Sequence, residues 1–211
     1  MPPMDDRYMK HKIDVVLFDF GGVIAEEGFR YGLQAIARNN GIDEDVFFNR
    51  GRDVIHSCGY VLGKSSENVF WEELRKVTGI KGNDESLRNE ILSRFIIRDW
   101  LIDIVKIIRG SKVRVGILSD QTDWLDILNM RDDFFKWFDV VFNSFYLGKS
   151  KKDPSIFDDV VNILGTKADR ILFVDDDPGN VERAKQKGLN GILFVDKTEF
   201  LNEILFISPP T

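Results

Sequence analysis

Asp19 ends an apolar, β-branched run, Val15-Val16-Leu17-Phe18, and is followed by Phe20-Gly21-Gly22. Such a run reads as a strand buried on both faces, which delivers the carboxylate to the strand's carboxyl end, where open α/β sheets bind ligands. A second run, Ile171-Leu172-Phe173-Val174, ends in Asp175-Asp176-Asp177. Two buried strands converging on carboxylates make a site for a hard cation. Asp19 and Asp176 can hold it through side-chain oxygens, with Asp175 binding directly or through a water. An oxygen-only, near-octahedral set suits Mg²⁺. Ser119 ends a third apolar run ahead of an expected helix over Asp123–Met130, and its hydroxyl and neighbouring N–H groups can hold a phosphate oxygen. Lys149, Lys151 and Lys152 compete to screen the remaining charge. A carboxylate nucleophile, a cation and a phosphate cradle together suit phosphoryl transfer, in which an aspartyl-phosphate splits one hard step into two.

These residues need a frame to bring them together. Strands are expected at Ile13–Phe18, Val113–Leu118, Val140–Asn143, Ile171–Val174 and Gly191–Val195, with helices between the later ones. Asp153-Pro154 and Asp177-Pro178 open two of those helices as N-cap and first-turn pairs, and Gly165 and Gly188 close them. Asp177 is therefore read as a cap and not as a ligand. The alternation gives an α/β fold with a doubly wound parallel sheet. Residues 29 to 98 carry no strand pattern. Phe29, Leu33 and Ile36 share one helical face, as do Phe70, Leu74 and Val77, after Ser65-Ser66 and before Gly79. This small all-helical insertion leaves the sheet just after Asp19 and so should sit over the site as a cap. The expected division is a Rossmann-like core, 1–26 and 99–211, and a helical cap, 27–98.

The chain has 211 residues, 43% of them hydrophobic, a net charge of −6 and a pI of about 5.1. The acidic balance argues against nucleic-acid or anionic-membrane binding, which would need a basic face. A single cysteine, Cys58, allows no intrachain disulfide and fits a reducing, cytoplasmic setting. With only His11 and His56 available as partners, and neither in a cysteine-protease context, Cys58 reads as a packed thiol. Met1–Lys12 lacks the apolar centre of a signal peptide, no run approaches membrane-spanning length, and Ser208–Thr211 reads as a loose tail.

Four pieces fall in order: Asp19-Phe20-Gly21-Gly22-Val23, Leu118-Ser119-Asp120, Gly148 to Phe157, and Phe173 to Val181. In this order and spacing they resemble the haloacid dehalogenase superfamily, in its helical-cap branch, and within it the sugar-1-phosphate phosphatase-like group. The resemblance covers 13–26 and 99–205 well and the cap only in placement and helical character. It implies that Asp19 is the nucleophile, that Ser119 holds phosphate, and that the backbone carbonyl of Gly21 joins Asp19, Asp175 and Asp176 around Mg²⁺. Counting from Gly148 forward and from Asp153 back, the family pattern selects Lys151. Lys152 falls where the family usually has proline. Asn180 matches the family's site-supporting amide.

One departure bears on activity. Many relatives place a second aspartate, a general acid and base, two residues after the nucleophile, and here that position is Gly21. Side-chain acid–base catalysis is typically worth about 10²–10⁴-fold. The expectation is a phosphatase that favours good leaving groups, such as sugar 1-phosphates, over simple alkyl phosphates. His56 is a substitute acid from the cap, although an ordinary cap histidine is the plainer reading. Gly21-Gly22 also reads as a tight turn, with Gly21 the position where glycine would hold a positive φ that disfavours a side chain. The expected partner is a small phosphorylated metabolite, whose identity, like the oligomeric state, these motifs do not encode. Two other readings compete: a metal-independent dehalogenase-type hydrolase, and a non-catalytic phosphate-binding regulator in which Gly21 marks lost activity.

Overall fold

The computed structural model describes residues 12–204. The readings of the N-terminus before Lys12, His11 included, and of the Ser208–Thr211 tail lie outside the described residues. Five strands form one parallel sheet: β1 (Val15–Phe18), β2 (Arg114–Ser119), β3 (Val140–Asn143), β4 (Ile171–Asp175) and β5 (Asn190–Leu193), in the order β3-β2-β1-β4-β5. The chain winds one way from β1 to β2 and β3 and the other way to β4 and β5. The topological switch therefore falls beside β1, where such sheets open a crevice at their carboxyl ends.

β1 is fully buried, and its side chains alternate between two apolar layers. Val16 and Phe18 join one cluster with Leu101 and Val105 of α5 (Asp99–Gly110) and Phe200 of α10 (Lys197–Ile204). Val15 and Leu17 join another with Ile156, Phe157 and Val160 of α8 (Ser155–Leu164) and Ala184 of α9 (Pro178–Gln186). Register then sets the site. Phe18 stands opposite Ile117 and Val174, so Asp19 emerges beside Asp175, with Ser119 one residue further along β2. The Asp19 N–H donates to the Val174 carbonyl at 2.8 Å, which fixes that level.

Between β1 and α5 lie four helices, α1 (Gly28–Asn40), α2 (Glu44–Ser57), α3 (Glu67–Thr78) and α4 (Asp84–Leu92), with a 3-10 turn at Tyr60–Leu62. The expected helical faces hold for Leu33, Ile36, Phe70 and Leu74, all buried, while Phe29 packs against the cluster's edge. Val77 departs from its stripe and is exposed, because the helix ends within one turn of it at Gly79, in the left-handed region at φ 71°. The insertion is tied back to the core by a short antiparallel pairing that the sequence did not suggest. Ala25 bridges Ile97, the Glu26 N–H donates to the Ile96 carbonyl, and the Arg98 N–H donates to the Ile24 carbonyl. α6 runs Trp124–Asp132, close to its expected span. α8 starts one residue later than its Asp153-Pro154 pair suggested: Pro154 is the N-cap, and Asp153, just before it, accepts from the Ser155 N–H at 3.0 Å. Among the described residues no helix is long and apolar enough to cross a membrane.

Candidate active site

Asp19 is held by contacts that leave little rotational choice. Its Oδ1 accepts from the Phe20 N–H at 2.7 Å and from the Ser119 hydroxyl at 2.6 Å. Its Oδ2 lies 2.7 Å from the Lys151 ammonium, which reaches Asp175 Oδ2 at 2.6 Å. Lys151 is 1% exposed, so its placement rests on backbone anchors. Its N–H donates to both oxygens of Asp120, at 2.9 and 3.1 Å, and its carbonyl accepts from Arg183 Nε at 2.7 Å. Arg183 also donates to Asn180 Oδ1 at 2.5 Å. That leaves the Asn180 amide N–H facing Asp175, at 3.1 and 3.2 Å from its oxygens. Asp175 Oδ1 accepts a further bond from the Asp177 N–H. Asp177 itself caps α9 by accepting from the Asn180 N–H at 2.9 Å, as its position before Pro178 suggested. Lys149 turns outward to Asp159, and Lys152 is exposed at the mouth of the site.

Carboxylates outnumber ammonium groups here. Burial raises the Asp19 pKa, with Lys151 opposing and Asp176 adding to the rise. Burial also pushes Asp175 up to about 6 and raises Asp176. For Lys151 burial is the largest single influence and works downward. The carboxylates of Asp175, Asp19 and Asp120 overcome it and hold the ammonium protonated. Oxygens of Asp19, Asp175 and Asp176 lie within 4.8 Å of one another, a spacing that a divalent cation with carboxylate ligands would fit. The backbone leaves room on that side. Gly22 has φ 81°, and a Cβ there would stand 2.2 Å from Asp176 Oδ2. No side chain could share that space with the Asp176 carboxylate. The residues present thus fit a hard cation.

The positive φ expected at Gly21 falls instead on Gly22, one residue on, where the chain turns past Asp176. A Cβ on Gly21 would meet only ordinary contacts, 3.4 Å to Phe95, 3.5 Å to Gln121 Nε2 and 3.7 Å to Glu27 Oε1. Glu27 is partly buried, and its carboxyl is pushed up to about 7 by burial first and then by the charges of Asp176 and Asp19, against Arg30. Glu27 lines the cavity of about 720 Å³ that opens above Asp19, together with Arg30, Arg52 and His56 from α1 and α2. His56 is held down to about 4, by burial and then by Lys152 and Arg52.

Four supporting residues escaped the sequence reading. Arg98 donates to the carbonyls of Gly22 and Val23 at 2.5 and 3.0 Å and forms a two-pronged ion pair with Glu26, so it clamps the loop after Asp19. Asp120 and Arg183 position Lys151, and Glu27 faces the position left open by Gly21. Asp120 lay inside a quoted motif, and Glu26-Glu27 at a helix start was a visible acidic pair. Arg98 and Arg183 act across 76 and 32 residues of sequence, and nothing local marks them.

Residues 13–188 match the haloacid dehalogenase-like hydrolase family. Among curated proteins, a flavin mononucleotide hydrolase of Arabidopsis thaliana is 24% identical over 90% of this chain and 76% of its own length. A D-ribitol-5-phosphate phosphatase of Bacteroides thetaiotaomicron is 26% identical over 82% of this chain and 87% of its own. Among solved structures, a haloacid dehalogenase family enzyme from Bacteroides thetaiotaomicron, crystallised as a magnesium complex, superposes with a TM-score of 0.72 at 21% identity. It covers 90% of this chain and 99% of that one.

Proposed function

This chain belongs to the haloacid dehalogenase-like hydrolases, and on that premise we propose that it is a Mg²⁺-dependent phosphatase of a small phosphorylated metabolite, acting through an aspartyl-phosphate on Asp19. The carrying observation is the convergence on Asp19 of Ser119, Lys151 and the Asp175–Asp176 pair at the switch point of the sheet. Asp19 attacks phosphorus, with its rotamer fixed by the Phe20 N–H and the Ser119 hydroxyl. Lys151 and Ser119 hold phosphate oxygens. Asp19, Asp176, the Gly21 carbonyl and Asp175 would hold Mg²⁺, which would offset the repulsion between the attacking carboxylate and the phosphate. Asn180 and Arg183 keep Asp175 and Lys151 in place. The relatives that act on a flavin mononucleotide and a sugar-alcohol phosphate support this substrate class.

The same proposal assigns 1–26 and 99–211 to the catalytic core and 27–98 to the cap. It places specificity in the cap wall of the cavity, with a sugar 1-phosphate as the candidate substrate. It makes neither nucleic acid nor membrane a partner, and it keeps the cytoplasmic setting inferred from the lone Cys58. The acid cluster favours this reading over a metal-independent dehalogenase, for which Asp175 and Asp176 would have little purpose. The intact Asp19, Lys151 and Asp176 set favours it over a non-catalytic binder. A panel of phosphorylated metabolites assayed with and without Mg²⁺ is the test. Turnover should require the metal, and Asp19→Asn should abolish it while the melting temperature stays near wild type. Retained activity in Asp19→Asn would end the nucleophile assignment.

A further inference from the structure

A phosphate ester with a poor leaving group needs a proton delivered to the departing oxygen, and Gly21 has no side chain to deliver it. The structure shows what stands nearest instead. Glu27 Oε1 lies 3.7 Å from where a Cβ on Gly21 would be, about one side-chain length from that backbone. Glu27 reaches this point from the N-cap position of α1. Its backbone is fixed independently, since the adjacent Glu26 is bound by Arg98 and by the Ile96 carbonyl. The carboxyl lines the same cavity as Asp19, Ser119 and Lys151.

We propose that Glu27 is the general acid and base of this enzyme, supplied from the start of the cap in place of the side chain missing at Gly21. The proposal rests on the phosphatase reading above. In the first step an Asp19 oxygen bonds to phosphorus while the bond from phosphorus to the leaving oxygen breaks. The leaving oxygen takes the Glu27 proton and departs as an alcohol. In the second step the Glu27 carboxylate takes a proton from a water whose oxygen attacks phosphorus. The bond to Asp19 breaks, inorganic phosphate leaves, and Glu27 is again protonated. His56, on the same cavity wall, is pushed toward the neutral form by burial and then by Lys152 and Arg52, with Asp53 opposing, which suits it less to donating a proton. Selectivity for good leaving groups, expected from Gly21 alone, then does not follow.

The test is a series of phosphate monoesters, from 4-nitrophenyl to primary alkyl, read as the rate of phosphoenzyme formation at saturating Mg²⁺. Wild type should depend weakly on leaving-group pKa. Glu27→Gln should stay within about threefold of wild type on the nitrophenyl ester and lose about 10²–10⁴-fold on the alkyl ester. The Cβ of a Gly21→Asp variant would meet only ordinary contacts and needs no positive φ. In the Glu27→Gln background it should recover at least about tenfold of the alkyl rate, which a merely misfolded variant could not do. A loss that is uniform across the series, or no loss at all, would overturn the role of Glu27 while leaving the phosphatase reading intact. Failure of wild type to turn over any ester would overturn both.

Discussion

Two adjacent aspartates at the end of β4 show how far one position changes a residue's work. Asp176 shares a 4.8 Å cluster with Asp19 and Asp175, and Gly22 leaves space for its carboxylate. Asp177, one residue on, spends its carboxylate on the first turn of α9. Asp176→Ala should therefore abolish turnover and change the melt little. Asp177→Ala should keep most of the activity and cost about 0.5–2 kcal/mol of stability. Paired kinetics and urea melts separate the two, and interchanged phenotypes would shift the metal assignment by one residue. The sequence supported this distinction because Pro178 marks the cap locally. It could not show that Lys151 is pinned by Asp120 and Arg183, since those bonds depend on which loops the sheet brings together. The same holds for Glu27, whose meaning depends on what Gly21 leaves open.

At the scale of elements, the strands were legible because burial on both faces leaves a continuous apolar run. β3 matches its expected span and the others differ at their ends by one or two residues. The hinge was not legible. Residues 24–26 and 96–98 pair across the whole insertion, and neither stretch has an alternating pattern. Arg98 holds this hinge through Glu26 and two carbonyls of the site loop. Glu26 has its pKa lowered, first by the hydrogen bond from Arg98, with burial opposing and the Arg98 charge adding. A depressed folded-state pKa adds stability that is complete above the unfolded value and lost as pH falls through the folded value. Arg98→Met should thus lower the urea midpoint at neutral pH, and the deficit should narrow below about pH 4 as Glu26 protonates. An equal deficit at both pH values would show that the carbonyl contacts, and not the ion pair, carry the hinge.

Over the whole molecule, the apolar cluster above the sheet continues without a break from β1 into the insertion. Val16 and Phe18 belong to the same cluster as Leu33, Phe47, Phe70 and Trp71. Trp124, at the start of α6, is the joint. Its ring lies 5.8 Å from Tyr60 edge-on and 6.0 Å from Trp71 in a stacked arrangement, and its Nε1 donates to Glu67 at 3.3 Å. The Tyr60 hydroxyl donates to Asp123 beside it, and the Ser144 hydroxyl donates to the Val61 carbonyl at 2.7 Å. The apolar stripes of α1 and α3 promised buried faces. They could not say that those faces would close over residues of the core, because amphipathicity names a buried side and not its partner. A shared core binds the stability of the insertion to that of the sheet. The protein should therefore unfold in one transition, with a calorimetric enthalpy equal to the van't Hoff enthalpy. Trp124→Ala opens a cavity at the joint and should cost about 3–5 kcal/mol, read as a lower denaturation midpoint. It should also weaken turnover, because α1 and α2 carry one wall of the cavity. Two resolved transitions in wild type would show that the insertion holds its own core, and that the contacts at Trp124 join two independently stable units.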